Sequence, residues 1–178
     1  MNGASKLSEA LNAHPGILEY IISLSPHEFE RLRNPLMRKV MPQRITLRRV
    51  AVMAGIKEVD LVTRVNEIAG LPVDLSAPAS RHEQLPSSPA DKPDWLSQLN
   101  PKDITWVDLI PIDDVLGDPM PTVNTAINAV KEGGVVGIKH KWEPQPFYDI
   151  WHAQGFDFWA EKIDQDLWHV YVFRPTDT

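Results

Sequence analysis

Four side chains in the last third of the chain have the types and spacing from which a ligand site could be built: Asp118, His140, Glu143 and His152. His140 reads as the end of a strand and Glu143 follows three residues on, while His152 and Asp118 line or start two helices. All four are expected near one edge of a sheet. Imidazole and carboxylate together suit iron, zinc or manganese, and two histidines with one carboxylate can form an open facial site. No tight pair such as His-Glu-x-x-His reinforces the pattern, so the metal or haem, and the cofactor in general, stay unknown from sequence.

Other chemistries are excluded by what the chain lacks. It has no cysteine, which removes disulfides, thiolate zinc sites, cysteine-bound iron–sulfur clusters and thiol catalysis. There is no Gly-rich phosphate loop, no nucleophile elbow and no Ser/His/Asp constellation at recognisable spacing, so no catalytic residue is assigned. Asp113-Asp114 reads as a solvated turn rather than an acid/base pair.

The elements that would hold the four residues follow from periodicity. Ile104–Pro111 reads as a strand, and Asp118–Val130 as a helix with Val123, Ala126, Ile127 and Val130 on one face. Val135–Lys141 is a second strand, and Pro146–Gln154 a second helix with Phe147, Ile150 and Trp151 inward. Phe156–Ile163 and Leu167–Arg174 then pair as a hairpin. The order β-α-β-α-β-β implies a mixed four-stranded sheet covered on one face by two helices. On the last two strands Trp159 and Ile163 alternate with Phe158, and Trp168 with His169, so both faces carry aromatics. The uncovered face is expected to receive a partner protein, the Pro-rich segment or the N-terminal part of the chain.

Residues 1–71 have a different character. Their apolar residues recur at helical spacing in short segments separated by proline or polar breaks, which predicts five or six short helices and no strand. Ser5 or Ser8 is expected to cap a first helix through Leu11, and Ile17, Tyr20, Ile21 and Leu24 form the buried stripe of a second. Pro35 opens a later helix, Thr46 caps Leu47–Ala54 and Gly55 ends it, and Leu61, Val62, Val65 and Ile68 mark the last. Residues 72–103 hold six prolines and no sustained period, so they read as a mobile linker tacked down near its end by Trp95 and Leu96. The fold class is therefore α+β: a helical bundle over 1–71, a linker over 72–103 and a two-layer α/β sandwich over 104–178.

Charge divides along the same lines. Residues 1–71 carry ten Lys/Arg against seven Asp/Glu, and residues 104–178 carry five against twelve. A basic module preceding an acidic one suggests docking on an anionic surface or between the halves. Thr46–Gly70 has a helix-turn-helix outline with Arg38, Lys39, Arg44, Arg48 and Arg49 nearby, but any pair of helices gives that outline and the acidic companion counts against nucleic acid. No apolar stretch approaches the roughly 18 residues of a membrane span, and the first residues lack an apolar core with a cleavage site; a cytoplasmic location is expected.

Two resemblances add to this reading. Gly117-Asp118-Pro119-Met120-Pro121, Gly134-Val135-Val136, Glu143-Pro144-Gln145-Pro146, Gly155-Phe156 and Trp168-x-Val170 resemble the bacterial sulfur-carrier (TusA/SirA-like) fold. They resemble still more the sister group designated domain-of-unknown-function family 2249, over nearly all of 104–174. True carriers have Cys-Pro-x-Pro where this chain has Asp118-Pro119-Met120-Pro121, so a carboxylate stands in place of the persulfide-bearing thiol and sulfur transfer is lost. Asp118 is then expected to cap the helix that Pro119 begins. Residues 5–70 resemble domain-of-unknown-function family 1858 through Leu7-Ser8-Glu9, Phe29-Glu30-Arg31-Leu32-Arg33-Asn34-Pro35, Leu47, Ala51-x-x-Ala54-Gly55-Ile56 and Leu61. Some members of that group carry a redox-linked cysteine pair, where this chain has Leu24-Ser25-Pro26-His27-Glu28. The resemblances imply a setting in redox or metal-centre metabolism.

Together these observations point to a non-catalytic binding or regulatory module whose partner is another protein. The alternative is a mononuclear metal or haem-binding protein, and a third reading is a DNA-binding regulator acting through the helical part.

Overall fold

Among the described residues, helices and one isolated β-bridge, Lys6 with Thr46, make up the first part of the chain, and a sheet with its covering helices the second. The computed structural model describes residues 1–73 and 85–176. The chain divides into two units, Met1–Leu85 and Pro86–Thr178, each with its own apolar core.

In the first unit α1 (Leu7–Ala13), α2 (Gly16–Leu24) and α3 (Pro26–Phe29) lead through a 3-10 turn, Glu30–Arg33, into α4 (Pro35–Arg44), α5 (Leu47–Ala54) and α6 (Glu58–Ala69). The expected stripes are inside: Ile17, Ile21, Leu61 and Val65 are fully buried together with Phe29, Leu32 and Leu47. Local chemistry sets most boundaries. The Asn34 side chain accepts from the Leu36 N–H with Pro35 at the first helical position, and Thr46 accepts from the Arg49 N–H. Gly55 and Gly70 end α5 and α6 at φ of +67° and +66°, a conformation that costs glycine nothing. The first helix departs from expectation, because it runs to Ala13 and its cap is Lys6, with no side-chain bond from Ser5 or Ser8. Tertiary pairing fixes that start instead: the Leu7 N–H donates to the Ile45 carbonyl, and the Leu47 N–H to that of Ser5.

The second unit contains α7 (Asp94–Ser97), β1 (Ile104–Asp108), α8 (Ile110–Asp114), α9 (Met120–Ala129), β2 (Val135–His140), α10 (Gln145–Ala153), β3 (Asp157–Asp164) and β4 (Leu167–Phe173). The sheet order is β1-β2-β4-β3, with β1 parallel to β2 and the remaining pairs antiparallel. One face packs on α9 and α10. Val136, Ile138, Phe158, Val170 and Val172 from the strands meet Val123 and Ile127 of α9 and Phe147, Tyr148 and Trp151 of α10. The mixed helix-and-sheet class with a helical N-terminal part is thus as expected.

Three expectations need correction. The first strand stops at Asp108 rather than at Pro111, because the Asp108 carboxylate accepts from the Ile110 N–H and Pro111 suits the opening turn of a helix. The resulting helix α8 turns Asp113 into the interior, where it is 3 % exposed, so the Asp113-Asp114 pair is not a solvated turn. The stretch expected as a linker, 72–103, is also divided. Residues 74–84 lie outside the described residues, and from Pro86 onward the stretch is part of the second unit. There Trp95 stacks on Phe173 at 5.0 Å and Leu96 is buried.

Gly137 at the centre of β2 is required by close approach rather than by its dihedral angles. A Cβ there would lie 2.7 Å from the Trp106 ring and 2.9 Å from the Ile104 side chain. Gly137→Ala is expected to destabilise the second unit by about 1–3 kcal/mol in denaturant titrations. Most of that loss should vanish in a Trp106→Ala background, and an equal loss in both backgrounds would remove Trp106 as its cause.

Candidate functional site

The four residues singled out from sequence have separate engagements. The Asp118 carboxylate, two residues before the first residue of α9, accepts from the Met120 N–H, which is the capping role expected of it displaced by one position because Pro119 stands at the cap. Glu143 accepts from the Tyr148 hydroxyl at 3.1 Å and from the Gln145 side-chain amide at 3.0 Å. His152 is exposed on α10. His140 is 1 % exposed and lies against Phe147 and Trp142. Among the described residues no group of three or more His, Asp or Glu side chains is arranged to hold a metal ion.

His140 instead meets a residue that sequence reading placed in solvent. Its Nδ1 is 2.6 Å from Asp113 Oδ2, and that oxygen also accepts from the Lys141 N–H at 2.9 Å. The two contacts on one carboxylate oxygen hold the imidazole ring in a single orientation. The same pairing orients histidine bases in hydrolases, where the ring opens onto a substrate. Here both side chains are sealed inside the fold and tie α8 to the end of β2. Asp114 next door faces outward and bonds the Lys141 ammonium.

The outer face of the sheet carries the richest surface chemistry. Strand register aligns its side chains in rows across all four strands. Trp106, Gly137, Tyr171 and Trp159 form one row, and Asp108, Lys139, His169 and Glu161 the next. The Trp106 ring overlies Gly137 and reaches His169 at 5.0 Å and Tyr171 at 5.5 Å, and Tyr171 stacks on Trp159 at 5.7 Å. Lys139 Nζ lies 5.9 Å from the Trp106 ring centroid, within cation–π range. Two groups here titrate abnormally. Burial pushes the Tyr171 phenol up to about 12, helped by its hydrogen bond to Glu161 at 3.0 Å. Burial lowers the His169 imidazole below 6.5, opposed by Glu161 and reinforced by Lys139.

The two sides of this face differ. Toward β3 the chain covers itself: the Ala160 N–H donates to Ser88 Oγ at 2.8 Å, Trp95 lies on Phe173, and Trp159 is 8 % exposed. Toward β1 it is open, and Trp106 is 41 % exposed. Sequence alternation announced aromatics on both faces of β3 and β4, but not that Trp106 joins them. Finding that row takes the register of β1 on β2, and its one local signal is a glycine in mid-strand.

The arginines of the helix-turn-helix outline are largely consumed within the first unit. Arg49 is 1 % exposed, Arg48 pairs with Glu58 at 2.7 Å, and Arg38 donates to the Leu32 and Arg33 carbonyls. No helix among the described residues is long and apolar enough to cross a membrane. Comparison of the chain with protein-family models, with curated proteins and with solved structures gave no match.

Two outcomes are expected. Asp113→Ala removes the partner of His140 Nδ1 and the acceptor of the Lys141 N–H and should destabilise the second unit by about 3 kcal/mol in urea unfolding; a loss near zero would show that the pair contributes nothing. His169 holds its proton less tightly when folded than when unfolded. Its contribution to stability is therefore present above pH 6.5 and lost as pH falls through its lower folded value. Melting temperature should then fall less steeply below pH 6.5 in His169→Gln than in the unaltered chain, and parallel pH profiles would contradict this.

Proposed function

We propose that the chain is a non-catalytic binding module that receives a partner protein on the β1 side of its outer sheet face. One observation carries the reading: an aromatic row reaches across the sheet and ends in a Trp106 that is 41 % exposed, while the opposite end of the row is covered by the chain's own Pro86–Leu99 segment. Aromatic side chains ringed by polar groups are typical anchors of protein interfaces, because they remove a large apolar area from water at small entropic cost. The neighbouring row of Asp108, Lys139, His169 and Glu161 supplies the polar surround. The resemblance to families 2249 and 1858 is what links this binding role to redox or metal-centre metabolism. Asp118 in the thiol position separates it from sulfur transfer.

A photo-crosslinking phenylalanine derivative placed at position 106, and in parallel at position 152 on α10, tests the reading in extracts. A discrete partner should be trapped from position 106 and not from 152. Excess unaltered chain should compete for it, and excess Trp106→Ala chain should not. Equal competition by both, or no adduct specific to position 106, would sink the proposal.

A further inference from the structure

The two edges of the sheet are treated differently by the chain, and the difference bears on how a partner is held. At the β3 edge the outward N–H of Ala160 is occupied, donating to Ser88 Oγ at 2.8 Å, and the same hydroxyl lies 3.5 Å from its carbonyl. That edge also carries Glu161 and Lys162 and an irregularity in pairing between Lys162 and Asp164. Charge, a bulge and a covering group are the usual means of blocking strand addition.

The β1 edge has none of these in its middle. The Leu109 N–H donates to the Lys139 carbonyl. In a parallel ladder alternate residues point their backbone groups toward the neighbour. Thr105 and Val107 thus bond toward β2, and the N–H and C=O groups of Ile104, Trp106 and Asp108 point out of the sheet. Among the described residues none hydrogen-bonds those of Trp106.

We infer that the partner enters as an extended segment bearing lysine or arginine, which pairs along β1 as a fifth strand and lays its side chains on Trp106. This rests on the reading of the outer face as the binding surface. Charge selects the occupant. Residues 86–178 hold fifteen Asp/Glu against seven Lys/Arg, so a second copy of the same unit is repelled and a cationic segment is attracted. Asp103 and Asp108 stand exposed at the two ends of β1, in position to face a cation on an added strand. The alkyl stem of such a residue covers the exposed indole while its charged head stays in water near Asp108. Lys139 already presents an ammonium to that ring from within the chain. Backbone pairing supplies the affinity and the side chains the selectivity, as in other cases of strand addition.

The test uses the full chain and three capped ten-residue probes: alternating valine and lysine, alternating valine and glutamate, and the first probe N-methylated at every residue. Binding is read by anisotropy, and hydrogen exchange is followed at single amides. The valine–lysine peptide should bind and slow exchange at the Trp106 and Asp108 amides, with Ala160 unchanged as the internal control. Asp108→Asn, which keeps the oxygen that caps Ile110, should weaken it several-fold. The N-methylated probe should bind at least about tenfold more weakly, since it keeps the charge and loses every donor. No binding, equal binding of the glutamate or N-methylated probe, or unchanged exchange at Trp106 and Asp108 would each overturn the inference. A partner trapped at position 106 without amide protection would keep the face and remove the added strand, whereas no trapping there removes both.

Discussion

Everything in the second unit depends on the register of β2, the strand hydrogen-bonded on both sides. Side chains alternate strictly along a strand, so fixing β2 against β1 and β4 decides the face of every residue in the sheet. Val136, Ile138 and His140 are thereby sent to the helices, and Gly137 and Lys139 to the opposite side. A slip of one residue would drive Lys139 into the core and lift Ile138 out. The missing side chain at Gly137 would go with it, and that absence is what lets the Trp106 ring approach the strand so closely.

Inside that frame, polar groups are buried where they join elements distant in sequence. Asp113 and His140 are 27 residues apart and link a short helix to the end of a strand. Asn66 and Met1 do the same for the first unit, the Asn66 amide donating to the Met1 carbonyl at 3.0 Å. Apolar packing alone leaves such junctions free to slide, whereas a hydrogen bond between two buried groups has few acceptable geometries. The cost of withdrawing these groups from water is offset only when each finds its partner, which is why such pairs resist the loss of one member.

Local signals made the helices of the first unit legible: Pro35 and Thr46 at starts, Gly55 and Gly70 at ends, and apolar residues at intervals of three and four. The four strands of the second unit and the helices α9 and α10 were legible for the same reason, as was the capping role of Asp118, whereas α7 and α8 were not. Asp113 was not, because two adjacent aspartates beside a proline look alike whether they turn in solvent or begin a helix whose inner side is polar. The anchoring of the Pro-rich stretch by Trp95 and Leu96 was legible, but its prolines concealed that the attachment to the sheet begins as early as Ser88, which bonds Ala160. The gathering of Asp118, His140, Glu143 and His152 rested on their nearness to one sheet edge. Hydrogen bonds to Asp113, Tyr148 and Gln145 engage two of them elsewhere, and only long-range contact reveals such competitors.

The single hydroxyl of Ser88 has a consequence for assembly. A sheet with two free edges can in principle add copies of itself without end, each new molecule offering the next a template. With Ala160 occupied, this sheet offers a template on one side only, so edge-to-edge growth stops after a single addition. A small polar residue outside any strand thus sets the upper limit on how large a structure the strands can build, and keeps a module with an open, aromatic edge from becoming the seed of a filament.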